Sequence, residues 1–238
     1  MRIKSRFAQV LAVAALPLAL AACSGGSSDS AAPGKEPKAK NLNAGLMTGS
    51  QLKGVLAPAS FFPSHLSPMK DGFTDSGKQY ASTVSRDTAK PDCVKFENTT
   101  WLDVTGYKGG ASFALGGYAN KDETEVMVQE IDVFQGATAA SVMKEVRAAA
   151  GTCASFTNLQ DHSKAKLVGT TTPGLGDDAY TMTITSAQWE NGTTLVAARV
   201  GNAVVSVTSS TGKDNGAAEA AKLAKHVVDS LKAAQAKS

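Results

Sequence analysis

The chain is 238 residues long, 42% hydrophobic and 19% charged, which allows one ordinary domain with a real core and excludes a disordered or collagen-like protein. Lys and Arg number 24 against 21 Asp and Glu, and the charges balance once Arg2, Lys4 and Arg6 of an export segment are set aside. That balance argues against nucleic acid as a partner, since phosphate neutralisation needs a basic surface. Three cysteines exclude a disulfide-dense miniprotein and a four-cysteine zinc ribbon.

Residues 1–6 are basic, and 7–22 form an apolar run broken by Gln9 and Pro17. That order is the order of an export signal, and the run is poorer in strongly apolar side chains than the span of about 20 residues that a membrane helix needs. It closes on Leu20-Ala21-Ala22-Cys23, followed by Ser24-Gly25-Gly26. This resembles the lipobox of bacterial lipoproteins. The resemblance implies a signal peptide over 1–22, a diacylglycerol on the Cys23 thiol, and Cys23 as the new N-terminus. Two or more acyl chains on one residue anchor firmly, because each buried methylene contributes about 0.8 kcal/mol. Residues 24–40 are dominated by Ser, Gly, Ala, Pro and Lys, so 23–45 reads as the lipidated cysteine and a solvated tether reaching roughly 25 Å. The expected place is the outer face of the cell membrane, held through Cys23.

The folded part is expected to be a single domain, 46–238. Residues 46–56 predict a short helix capped by Thr48 or Ser50 and stopped before Pro58. Residues 57–92, rich in Pro, Ser, Gly and Asp, predict a long irregular segment pinned by Phe61, Phe62 and Phe73, with a helix around 77–84 as the alternative. Strands are predicted over 111–118 and 125–134, turning at Asn120-Lys121-Asp122. Ala139, Val142, Met143, Val146 and Ala150 recur at helical spacing, with Gly151 as the stop. A second passage repeats the order. A strand over 179–189 leads to Asn191-Gly192 as a type I′ hairpin turn, then a strand over 194–200, a tight turn at Gly201-Asn202 and a strand over 203–209. Asn215 is expected to cap a helix to about Ala234, with Ala220, Leu223, Ala224, Val227, Val228 and Leu231 on one face. The fold class is therefore α+β: an antiparallel sheet packed by helices on one face, built from two strand-strand-helix halves that read as a diverged repeat.

Once Cys23 is acylated, Cys93 and Cys153 are the remaining thiols, and an even pair in an oxidising space is expected to bridge. The bridge would staple the irregular segment to the end of the first long helix. A catalytic thiol would need a neighbouring base, and His162 is the only histidine near either cysteine in sequence.

Pro91-Asp92-Cys93, then Trp101, a strand ending Val133-Phe134, an Ala-rich helix and Cys153 follow one another. Leu175-Gly176-Asp177-Asp178-Ala179 and Ala198-Arg199-Val200-Gly201-Asn202-Ala203-Val204-Val205 come later. The succession, over roughly 46–232, resembles the PknH-like extracellular sensor domain of actinobacterial receptor serine/threonine kinases and free-standing lipoproteins. The resemblance implies an α+β fold with a cleft for an unidentified small ligand. Its kinase members carry two disulfides, and this chain has the cysteines for one.

Other patterns carry less. Ser-x-x-Lys at Ser50/Lys53, Ser67/Lys70 and Ser141/Lys144 lacks the partner motifs of penicillin-binding enzymes, and no Gly-x-Ser-x-Gly elbow occurs. His65, His162 and His226 are scattered, so no metal or cofactor is expected. Gly174-Leu175-Gly176-Asp177-Asp178 lacks the alternating oxygen ligands of a calcium loop and reads as a turn feeding a strand. Asn98-Thr99-Thr100 and Asn191-Gly192-Thr193 match the glycosylation sequon, which the bacterial lipobox discounts. Trp101, Tyr107, Tyr118 and Trp189 are weak candidates for lining a ligand cleft, against ordinary packing. The expectation is a non-enzymatic, membrane-tethered ligand-binding or sensor module. Its alternatives are an accessory subunit docking on an envelope protein, or a lipid carrier.

Overall fold

β-Branched and small apolar residues at both odd and even positions of the later strands demand a sheet covered on both faces. The computed structural model describes residues 41–81, 86–87, 90–97, 101–159 and 161–237. The expected signal peptide, most of the expected tether and Cys23 lie outside the described residues, as does Asn98.

The strands are β1 (Ser67–Asp75), β2 (Ser112–Ala119), β3 (Val126–Val133), β4 (Ser155–Thr157), β5 (Lys164–Thr171), β6 (Asp178–Ser186), β7 (Thr193–Val200) and β8 (Ala203–Ser209). Among the described residues they form one antiparallel sheet in the order β1-β2-β3-β8-β7-β6-β5-β4. The helices are α1 (Gly49–Lys53), α2 (Thr138–Thr152) and α3 (Ala217–Gln235). The α+β class is as the sequence predicts.

Packing on a single face is not. Val196, Ala198, Val205 and Val207 meet Leu223, Val227 and Leu231 of α3 on one face. Leu195, Ala197, Val204 and Met182 meet Val142, Met143 and Val146 of α2 on the other. The topology supplies the reason. In the antiparallel pair β3–β8, Val133 lies opposite Ala203 and Met127 opposite Ser209, so the two strands end at opposite ends of the sheet. The helices that follow them depart from opposite ends, and each closes one apolar face. A two-fold axis normal to the sheet would put both helices on the same face, so the strand-strand-helix order recurs without a simple repeat. Truncating Leu223 or Met143, both closed to solvent, to Ala would remove about 2–5 kcal/mol.

Local elements depart from the expectation for identifiable reasons. α1 is shorter than predicted but keeps its cap: Thr48 accepts from the Gln51 N–H, and the Gln51 side chain returns to the Thr48 N–H. The irregular segment contains β1, whose pairing with β2 is interrupted between Pro68 and Phe73, where Asp71 takes a φ of 58°. Such an interruption, with a proline, belongs to a sheet edge and hides the alternation. Residues 77–81 hold no helix, and 82–85 are outside the described residues. Phe62 does pin this segment, stacked on Tyr118 at 3.8 Å.

Gly151 lies inside the last turn of α2, which ends at Cys153. Asn191-Gly192 sits in a longer loop between β6 and β7 and is not a two-residue turn. Gly201-Asn202 is one: Val200 pairs Ala203, and Gly201 alone of the two has positive φ, as in a type II′ turn. Asn215 does not cap α3. The helix begins after Gly216, the Asp214 carboxylate accepts the Ala218 N–H, and Asn215 reaches back to accept the Gly192 N–H at 2.7 Å.

Candidate functional site

β3 reads Val-Met-Val-Gln-Glu-Ile-Asp-Val and is buried along its whole length. Its odd-numbered residues, Met127, Gln129, Ile131 and Val133, face the α3 side. Its even-numbered residues, Val126, Val128, Glu130 and Asp132, face the α2 side. Register places Glu130 opposite Ser206 of β8, Val128 opposite Thr208, and Asp132 opposite Val204. Two carboxyl groups and two hydroxyl groups therefore share one face at the centre of the sheet. Beyond Val128 the same face continues as an apolar strip of Leu115, Ala119, Val126 and Val128, with Met69 packed against it.

A 3-10 turn, Trp101–Thr105, and the loop after it approach the Asp132 end. The Gly110 N–H donates to one Asp132 oxygen at 3.1 Å, and Asp103 adds a third carboxyl group to the neighbourhood. Asp132 Oδ2, Glu130 Oε2, Ser206 Oγ and Thr208 Oγ1 are all buried and accept or donate no hydrogen bond. Asp132 is 1% exposed, Ser206 3% and Glu130 8%. Orphaned polar atoms in a core cost about 1–3 kcal/mol each, so four together require an explanation beyond stability.

The electrostatics follow from burial. Desolvation pushes the Asp132 carboxyl up to about 7, the Gly110 N–H pulling it down and the Asp103 charge pushing it up. Desolvation, then Asp132, then Asp103 hold Glu130 well above the usual glutamate range. Burial also raises Asp103, with Lys95 and Lys108 opposing. The pair on β3 thus holds protons near neutrality. Ionised, it calls for a positive partner that β3 and β8 do not supply.

The covering segment is tied down at both ends. Cys93 and Cys153 form a disulfide, joining the 3-10 turn Cys93–Glu97 to the end of α2. Trp101 is buried in the α2-side core and stacks on Phe96 at 6.2 Å. Tyr107 packs edge-on against Phe134, beneath the Arg86 guanidinium, and Arg86 pairs with Glu145 of α2 at 2.7 Å. In the same segment burial lifts Glu97 to about 7, Asp161 adding to the rise and bonds from Leu159 and Asn158 opposing it.

The four aromatic candidates do not line one cleft. Trp101 and Tyr107 anchor the cover; Tyr118 lies on the α3 side between Phe62 and Phe73; Trp189, half-buried, packs against the α2-side core that holds Trp101 and Tyr107 and donates to Asp161 at 2.6 Å. Asp177 and Asp178 are braces. Asp177 accepts the Gly201 N–H at 2.7 Å, and Asp178 pairs with Arg147 of α2. His65 pairs with Glu125, and His226 packs on Phe61. Among the described residues no three His, Cys, Asp or Glu side chains group as a metal-ligand set. Sequence reasoning missed Asp103, Glu130, Asp132, Ser206 and Thr208. The available signal was two acidic residues, Glu130 and Asp132, in the middle of a predicted strand. No family model matches the chain, and no curated protein matches it.

Proposed function

We propose that the chain is an extracytoplasmic, lipid-anchored module that binds a small ligand and performs no chemistry on it, as the resemblance to the sensor domains implies. One observation carries the binding reading: four buried, unpaired polar atoms face one another across β3 and β8, beneath a segment braced by the Cys93–Cys153 bridge. Binding sites are built this way, with a few convergent polar groups beside apolar surface. The lipobox ending at Cys23 supports the location.

Two measurements test the reading. Fractionation should place the parent in the membrane and release a Cys23→Ala variant, and equal lipid labelling of the two would remove the anchor. A thermal-shift screen against fractionated envelope extract should raise Tm for the parent and not for a Ser206→Ala, Thr208→Val double variant. An extract that shifts neither protein would remove the ligand.

A further inference from the structure

Resting on that binding reading, we propose that the α2-side face of β3 and β8 takes a small organic cation, a primary amine carrying an apolar stem. The head is set by the unpaired atoms. An ammonium has three donors, and Glu130 Oε2, Asp132 Oδ2 and Ser206 Oγ are three buried oxygens without partners. Glu130 and Asp132 stand two residues apart on one face, roughly 7 Å along the strand, and Ser206 is directly across from Glu130. The Ser206 hydroxyl, 3% exposed, marks the same spot independently of the acids.

The neighbouring charges exclude the other classes. Lys95 and Lys108 act on Asp103, while Glu145 and Arg147 of α2 are taken by Arg86 and Asp178. Among the described residues no cation acts on Glu130 or Asp132, and an anionic ligand would be repelled as soon as either carboxyl group ionises. A bare metal ion lacks its ligand set among the described residues. The stem is set by Leu115, Ala119, Val126 and Val128, which continue the face away from the cover. A charged head at Glu130 and an aliphatic chain along Val128 and Val126 would satisfy both halves. Because burial keeps protons on the two carboxyl groups near neutrality, capturing a cation expels a proton, and affinity rises with pH.

The test is isothermal titration of the purified full-length chain with octylamine, octanol and octanoate, at pH 6 and pH 8, in buffers of different ionisation enthalpy. Octylamine should bind at least about tenfold more tightly than either analogue, more tightly at pH 8, and with proton release. Glu130→Gln should weaken it about tenfold or more, and Ser206→Ala a few-fold, with circular dichroism reporting the fold of each. Octylamine binding no tighter than octanol, or untouched by Ser206→Ala, would overturn the cation assignment. Octanol or octanoate binding that Ser206→Ala abolishes would overturn the cation and keep the ligand-binding reading. Silence from all three probes also overturns the cation, while the fate of the ligand-binding reading rests on the extract screen.

Discussion

Gln129 and Glu130 are neighbours in sequence, both nearly closed to solvent, and they stand on opposite faces of β3. On the α3 side, the Gln129 amide accepts the Ala57 N–H at 2.8 Å and donates to the Ala57 carbonyl at 3.0 Å, so a buried polar group fastens the N-terminal segment with nothing left over. On the α2 side, Glu130 leaves an oxygen unpaired, and Asp132, Ser206 and Thr208 do the same. One face uses buried polarity to hold the fold together, and the other carries it at a loss. A polar group that stabilises and one that waits for a ligand are told apart by their partners, not by their burial.

The contrast can be broken in several ways, beginning with the largest. Reducing the Cys93–Cys153 bridge, which closes a loop of 60 residues, should lower stability by about 4 kcal/mol in urea denaturation. Hydrogen exchange should then show protection lost first over residues 101–110 and retained in α3. Gln129→Ala strands both polar groups of Ala57 and should cost about 2–4 kcal/mol by the same denaturation. Glu130→Met, one residue on, should move the other way, stabilising by about 1–2 kcal/mol while abolishing ligand binding. Opposite signs at adjacent residues would be the sharpest evidence for the two roles.

A pH titration refines the same point. The Asp132 carboxyl titrates at about 7 in the folded chain, against roughly 4 when unfolded. Between those values the folded state holds a proton that the unfolded state has lost. Stability from this group is therefore highest below about pH 4, falls as pH rises to about 7, and stays lower above. Tm followed from pH 4 to 8 should show that fall, flattened in Asp132→Asn. The smallest effect belongs to the α3 side: Thr48→Ala removes the cap of α1 and should cost about 1 kcal/mol in Tm-derived stability, without touching ligand binding.

The sequence carried the elements with strong local signals. Gly201-Asn202 gave the β7–β8 hairpin, Thr48, one of two candidate caps beside Ser50, the start of α1, and the Leu223, Val227 and Leu231 spacing the buried stripe of α3. β1 was hidden by Pro68 and Gly72, because an edge strand with an irregular register has no alternation to read. The opposite placement of α2 and α3 depends on β3 pairing with β8, which no local pattern states. The site was the least legible part. Glu130 and Asp132 look like ordinary solvent-facing residues of a two-sided strand until β8 brings Ser206 and Thr208 alongside and the cover brings Asp103.

The pairing of β3 with β8 also has a kinetic meaning. The hairpins β2–β3 and β7–β8 join residues close in the chain and close fast, whereas matching Ile131 to Val205 requires a long loop to find its end. The acids belong to one hairpin and the hydroxyls to the other. A nascent chain therefore makes the two halves of the candidate site separately and completes it when they zip together. A molecule bridging the join would clamp the slowest-formed seam of the protein, and its grip would be felt as slower unfolding.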